Sequence, residues 1–238
     1  MAAEQRIEFD SDRANRYNQN IRKAIPGYEA LHNMAYTLLE IEINLRESAR
    51  LLIVGSGTGM ELLSFRQRQP QWLLTGVEPA AEMMAIAKRD LTAQGLQDQV
   101  ELHTGYVDTL PETQVMDAAT LMLVMHFLPD DGSKLSLLQN IAKRLKPRAT
   151  LILADLYGDK SLPSFQQLMS AWKSLYFSLL DDESRKKAEQ DYQNSLDNSV
   201  YFVSEARIIE LLETAGFSEI TKFYNAFLFG GWIAKFNG

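Results

Sequence analysis

The residues best suited to chemistry begin with Gly55-Ser56-Gly57-Thr58-Gly59, set between the apolar run Arg50–Val54 and Met60–Arg68, which can open a helix. Glycines at a strand-to-helix turn let the backbone approach a ligand closely. The residues after the turn narrow the choice of ligand. Met60-Glu61 stands where a phosphate-clamping loop needs Lys-Ser/Thr, and it adds bulk and negative charge, so a Walker-type ATPase is disfavoured. The dinucleotide fingerprint G-x-G-x-x-G would need glycine at position 60, where Met60 obstructs close helix–strand packing. Glu78 ends the next apolar run, in Gly76-Val77-Glu78-Pro79-Ala80. There a carboxylate can accept two hydrogen bonds from the ribose hydroxyls of a nucleoside held over the turn. Turn and acid together point to a nucleoside-type cofactor.

Two further residues are candidates for catalysis. His126 follows the run Met116–Val124, and its ordinary pKa near 6.5 leaves it mostly neutral at cellular pH and able to take a proton from a substrate nucleophile. A cofactor neighbour or a structural histidine is the alternative. Asp155 ends the run Thr150–Leu156 and could orient an amine or alcohol, with Tyr157 lining the same pocket. Its alternative is to cap the following turn. Upstream, Tyr17 and Arg22 could reach a cofactor carboxylate, Arg22 with guanidinium donors suited to it, unless they lie on a solvated helix face. His32 and His103 read as structural.

The elements that must position these residues alternate between short apolar runs and amphipathic segments over residues 50–156. That rhythm predicts a doubly wound α/β fold, a seven-stranded, mostly parallel sheet with an antiparallel edge strand, whose ligands sit beyond the carboxyl ends of the strands. Residues 1–48 read as a helical N-terminal cover broken at Pro26-Gly27, with Leu31, Met34, Leu38 and Ile41 spaced along one face of Tyr28–Leu45. Residues 49–156 form the cofactor-binding core, 157–203 a lid-like helical insertion split near Asp181-Asp182, and 204–238 a last helix and two strands joined near Asn225. Together they make one domain. Within the insertion, Phe165, Leu168, Met169, Trp172, Leu175, Tyr176, Phe177 and Leu180 recur at helical intervals, which fits a lid over an apolar pocket, a homodimer surface or packing on the core.

Composition sets outer bounds. Of 238 residues, 46% are hydrophobic and 23% charged, as in ordinary globular proteins. A net charge of −7 provides no field that would draw the chain to nucleic acid or an anionic membrane. The basic group Lys143, Arg144, Lys146 and Arg148 could touch phosphate locally, but it has no interleaved aromatics and also suits a helix C-terminus. With no cysteine and three histidines, thiol chemistry is excluded and no metal site is expected. The charged N-terminus and the absence of a long apolar run predict a cytoplasmic chain without a membrane partner.

The chain resembles the class I S-adenosylmethionine-dependent methyltransferases, through Gly55, Gly57 and Gly59 after the first strand and Glu78 closing the second. The resemblance implies S-adenosylmethionine as cofactor and methyl transfer to a small, partly apolar metabolite. It implies that the glycine turn, with Ser56, lies against the methionine portion and that Glu78 grips the ribose, with Pro79 and Met83 beside it. Tyr106 and Val107 would adjoin the adenine, and Leu121 would lie near the cofactor. That family often carries an acid two residues before the first glycine; this chain has Ile53, which shifts affinity onto the pre-core residues and backbone groups. Ile25-Pro26-Gly27-Tyr28, His126-Phe127-Leu128 and Phe227–Trp232 resemble the carboxy-S-adenosylmethionine synthase branch, in which Tyr28 would contact the cofactor. The branch's lid arginine and Asn-Gly-Tyr run have no counterpart in Leu180–Arg185. Methyl transfer is therefore the primary expectation, with a carboxy-cofactor synthase, a tRNA-modifying enzyme or a non-catalytic cofactor-binding module as alternatives.

Overall fold

Strand β1 (Arg50–Val54) lies at the centre, parallel to β2 (Leu73–Glu78) on one side and β4 (Met116–Met122) on the other. β3 (Val100–Thr104) extends the sheet beyond β2, and β5 (Leu145–Leu156) beyond β4, both in parallel. These relations come from a computed structural model that describes residues 20–43, 48–112, 116–186, 188 and 199–238. The last strands, β6 (Phe217–Ala226) and β7 (Phe229–Phe236), complete the order β3-β2-β1-β4-β5-β7-β6, with β7 antiparallel to both of its neighbours. The expected seven-stranded α/β sheet is present, its antiparallel pairing confined to one flank. Strand order reverses between β1 and β4, so a crevice opens at their carboxyl ends.

Successive strand residues point to opposite faces, which creates two cores. Leu51, Ile53 and Ala118 join α1 (Tyr28–Ile43), α2 (Met60–Arg68) and α5 (Pro163–Ser178) on one face. Leu52, Val54, Ala119 and Leu121 join α4 (Ser133–Ala142) and α6 (Glu205–Thr214) on the other. Between β2 and β3 runs α3 (Ala81–Ala93), which packs beside α2. Covered on both faces, β4 is buried at every position, which is why its sequence is mostly apolar without alternation, with only Asp117 and Thr120 polar.

Several expectations need adjustment. Helix α1 buries Tyr28, Leu31, Ala35, Leu39 and Ile43, whereas Met34 and Leu38 only flank the core and Ile41 is 63% exposed. Ala35, too small to weigh in a search for large apolar residues, lies on the face that approaches the sheet. The final hairpin turns at Phe227-Leu228, two residues beyond Asn225. The insertion's aromatic stripe divides by face. Phe165, Met169 and Trp172 are buried in the core, with the Trp172 indole N–H donating to the Ala24 carbonyl at 2.6 Å and its ring 4.9 Å from Phe229. Leu168 and Leu175 point outward and are exposed. The insertion thus fastens the N-terminal cover onto the domain.

Candidate active site

The glycine turn is bound to the end of β2, because both Gly55 and Ser56 donate their N–H to the Val77 carbonyl, at 2.8 and 3.0 Å. Gly55 has φ +70° and lies so close to Val124 that a Cβ would come within 2.2 Å of that side chain. Gly59, at φ +85°, caps α2 and leaves no room for a Cβ beside Ala87. The positions therefore require glycine for both backbone and space.

Glu78, the last residue of β2, joins the turn to the start of α3. Its carboxylate accepts from the Gly57 N–H at 3.0 Å and the Ala80 N–H at 2.9 Å. Burial pushes this carboxyl up and the two N–H donors pull it back, with a net upward direction. Met83 is buried, its terminal carbon 4.0 Å from where a Gly57 Cβ would stand, while Pro79 is exposed. Beyond β3, Val107 is buried and Tyr106 is 47% exposed. The buried Arg144 fixes this loop by donating to the carbonyls of Leu110 and Asp108. Leu121 is fully buried in the core formed with α4 and α6.

The N-terminal cover reaches the same place. The Arg22 guanidinium contacts the Met60 sulfur at 3.6 Å, lies 5.7 Å from the centre of the Tyr28 ring and pairs with Glu29. Tyr28 itself is buried, 4.3 Å from the His32 ring. Tyr17 lies outside the described residues.

Just past β4, a short 3-10 turn over Met125–Phe127 carries His126, whose Nδ1 is hydrogen-bonded to Oδ1 of Asp155 at the end of β5. Asp155 Oδ1 also accepts from the Leu156 N–H at 2.8 Å. With Nδ1 held by the carboxylate, Nε2 is the nitrogen available to accept a proton. The pair is nearly closed to water, Asp155 being 1% exposed. Lys134, which sequence reading passed over, lies buried beneath it and donates to the Met125 carbonyl at 2.7 Å. Burial lowers the pKa of its ammonium, with Asp155 and Asp130 opposing. Nothing in the segment Lys134–Leu145 marks that lysine as buried.

Among the described residues, Ser56 Oγ, Glu61 Oε1, Thr120 Oγ1 and Asp155 Oδ2 are buried and complete no hydrogen bond. All four belong to the glycine turn, the first turn of α2, or the carboxyl-terminal parts of β4 and β5. An unsatisfied buried polar atom costs about 1–3 kcal/mol, and a polar ligand bound beyond these strand ends could supply partners; His32 Nε2, Arg66 Nε, Arg144 Nε and Trp232 Nε1 are likewise buried without one.

Residues 51–148 match a family described as a methyltransferase domain. Similar proteins extend the likeness beyond it. The chain is 24% identical to the carboxy-S-adenosyl-L-methionine synthase of Campylobacter hominis, over 96% of this chain and 94% of that one. It is also 24% identical to the demethylmenaquinone methyltransferase of Lactiplantibacillus plantarum, over 94% and 97% respectively. Among solved structures it is similar to the 1,6-didemethyltoxoflavin-N1-methyltransferase of Burkholderia thailandensis, with TM-score 0.59 and 17% identity over 88% of this chain and 80% of that one. The residues present fit S-adenosylmethionine as the cofactor: the Glu78 carboxylate stands at the end of β2 with capacity to accept from ribose hydroxyls, and the glycine turn leaves space for close approach.

Proposed function

We propose that the protein transfers the methyl group of S-adenosylmethionine to a small, partly apolar metabolite, with His126 as the base and Asp155 as the residue that orients it. The observation supporting this reading is the His126–Asp155 hydrogen bond at the carboxyl ends of β4 and β5, on the crevice that carries the glycine turn. S-adenosylmethionine supplies an electrophilic methyl carbon on a sulfonium. With that methyl carbon as electrophile, His126 Nε2 would hold and take the proton of the acceptor's nucleophilic atom as it is methylated. Glu78, the glycine turn and the loop at Tyr106-Val107 orient the cofactor, and the crevice under the N-terminal cover brings the acceptor into line.

A small acceptor is favoured over a nucleic acid by the state of the basic group. Arg144 is buried against carbonyls, Lys146 pairs with Asp117, Arg148 with Glu219 and Lys143 with Glu112. Those charges are engaged within the protein. The carboxy-S-adenosylmethionine synthase reading is supported by the full-length relatives of that name, and bound-ligand analysis separates the two. Native mass spectrometry of freshly purified protein is expected to find S-adenosylmethionine or its demethylated product; retention of only the carboxylated analogue would overturn methyl transfer. Once an acceptor is found, His126→Asn should lower kcat at least 100-fold with cofactor affinity nearly unchanged, and an unaltered rate would remove His126 from the role of base.

A further inference from the structure

Glu61 takes no part in the His126–Asp155 pair or the contacts of Glu78, yet it is a buried acid between them. It stands in the first turn of α2, two residues after the last glycine, and is 7% exposed. Its Oε1 completes no hydrogen bond. The Thr120 hydroxyl stabilises the charged form and burial opposes it, with burial dominant. Thr120 is the β4 partner of Ile53 in the sheet register, and the two share the face on which α2 packs. Glu61 therefore brings a carboxyl from the helix to the sheet position where β1 contributes only the hydrocarbon of Ile53. A carboxyl held there without a cation is a cost that folding does not repay locally.

We infer that Glu61 is the acid that receives the ammonium group of the cofactor's methionyl end, supplied from α2 in place of a carboxylate on β1. This role for Glu61 rests on the proposed use of S-adenosylmethionine. Ser56 Oγ, also buried and unpartnered, belongs to the same glycine turn and can share in holding the amino-acid end, beside the Thr120 hydroxyl that faces Glu61. Glu78 remains at the opposite, ribose end, its two oxygens already anchored by Gly57 and Ala80. The two acids thus read different parts of one ligand.

The test compares two probes by isothermal titration: S-adenosylhomocysteine, which carries the ammonium, and 5′-methylthioadenosine, which keeps the nucleoside and thioether but lacks the amino-acid end. Glu61→Gln should weaken the first at least tenfold and leave the second within twofold. Undiminished binding of S-adenosylhomocysteine, or an equal loss for both probes, would overturn the role of Glu61. Wild-type protein that binds neither overturns the cofactor reading and the inference with it. A measurement on unaltered protein guards against a variant that fails to fold. Titrations near pH 7 in buffers of different ionisation enthalpy should show release of a fraction of a proton with S-adenosylhomocysteine and none with 5′-methylthioadenosine, because the ammonium drives Glu61 to its charged form. The polar influence on that carboxyl is the Thr120 hydroxyl, Arg22 lies against the neighbouring Met60, and His32 on α1 is held neutral with its pKa lowered to about 4. Equal proton release with both probes would overturn the assignment.

Discussion

Glu61 and Glu78 flank one glycine turn, and burial acts on each differently because their hydrogen bonds differ. Glu78 has two backbone donors, and Glu61 has an unpartnered oxygen. Replacing Glu78 with alanine removes the proposed ribose acceptor and should weaken S-adenosylmethionine binding about 10–100-fold in calorimetry, the scale of hydrogen bonds to a charged group; unchanged affinity would refute the ribose assignment. Burial pushes the Glu61 carboxyl up to about 7 from its ordinary 4.5. Between those values the folded chain holds a proton that the unfolded chain has lost, so stability falls as pH rises through that window. The cost is absent below about pH 4.5 and complete above about pH 7, where 2.5 units correspond to about 3 kcal/mol. Glu61→Gln should therefore raise the ligand-free Tm at pH 8 and change it little at pH 4, as followed by circular dichroism. At Gly55, substitution by alanine meets both φ +70° and the Val124 side chain and should cost at least about 2 kcal/mol in urea unfolding.

At the scale of elements, caps and inter-element bonds carry the consequences. Ser204 caps α6: its hydroxyl accepts from the Arg207 N–H at 3.2 Å. Ser204→Ala should cost about 1 kcal/mol with no change in cofactor affinity, since α6 lies on the face opposite α2. The tie between α5 and the N-terminal cover behaves otherwise. Trp172→Phe keeps a ring against Phe229 but loses the donor to the Ala24 carbonyl. It should raise amide exchange in residues 20–43 and weaken ligand binding through Arg22 and Tyr28; exchange equal to wild type would separate α5 from the cover. The helical spacing of the stripe was readable in advance. Which of its residues faced inward depended on where the sheet and Ala24 came to lie.

For the whole molecule, ligand binding and folding are linked. Cofactor at 100 times its Kd should add about 2.7 kcal/mol to stability, read as a rise in Tm that tracks ligand concentration. The partnered basic group also predicts little RNA retardation in gel mobility assays even at low salt, and strong, salt-sensitive retardation would reverse the small-acceptor reading. Among the described residues no helix is long and apolar enough to cross a membrane.

The sequence by itself determined the sheet and one side of its crevice. Buried parallel strands are predominantly apolar, and a turn such as Gly55–Gly59 must be glycine where backbone angles and neighbouring atoms exclude a Cβ, so both leave a local mark. Glu78 was legible for the same reason, since its position depends only on where β2 ends. The pairing of His126 with Asp155, the burial of Lys134 and Arg144, and the approach of Glu61 to Thr120 were decided by tertiary structure. Each joins residues from different strands, helices or loops, and a charged side chain carries no local sign of which neighbours will exclude water from it. Ile53 shows the difference most directly: its sequence position registered only a missing acid, and the packing of α2 on the sheet brought another carboxyl to the same face.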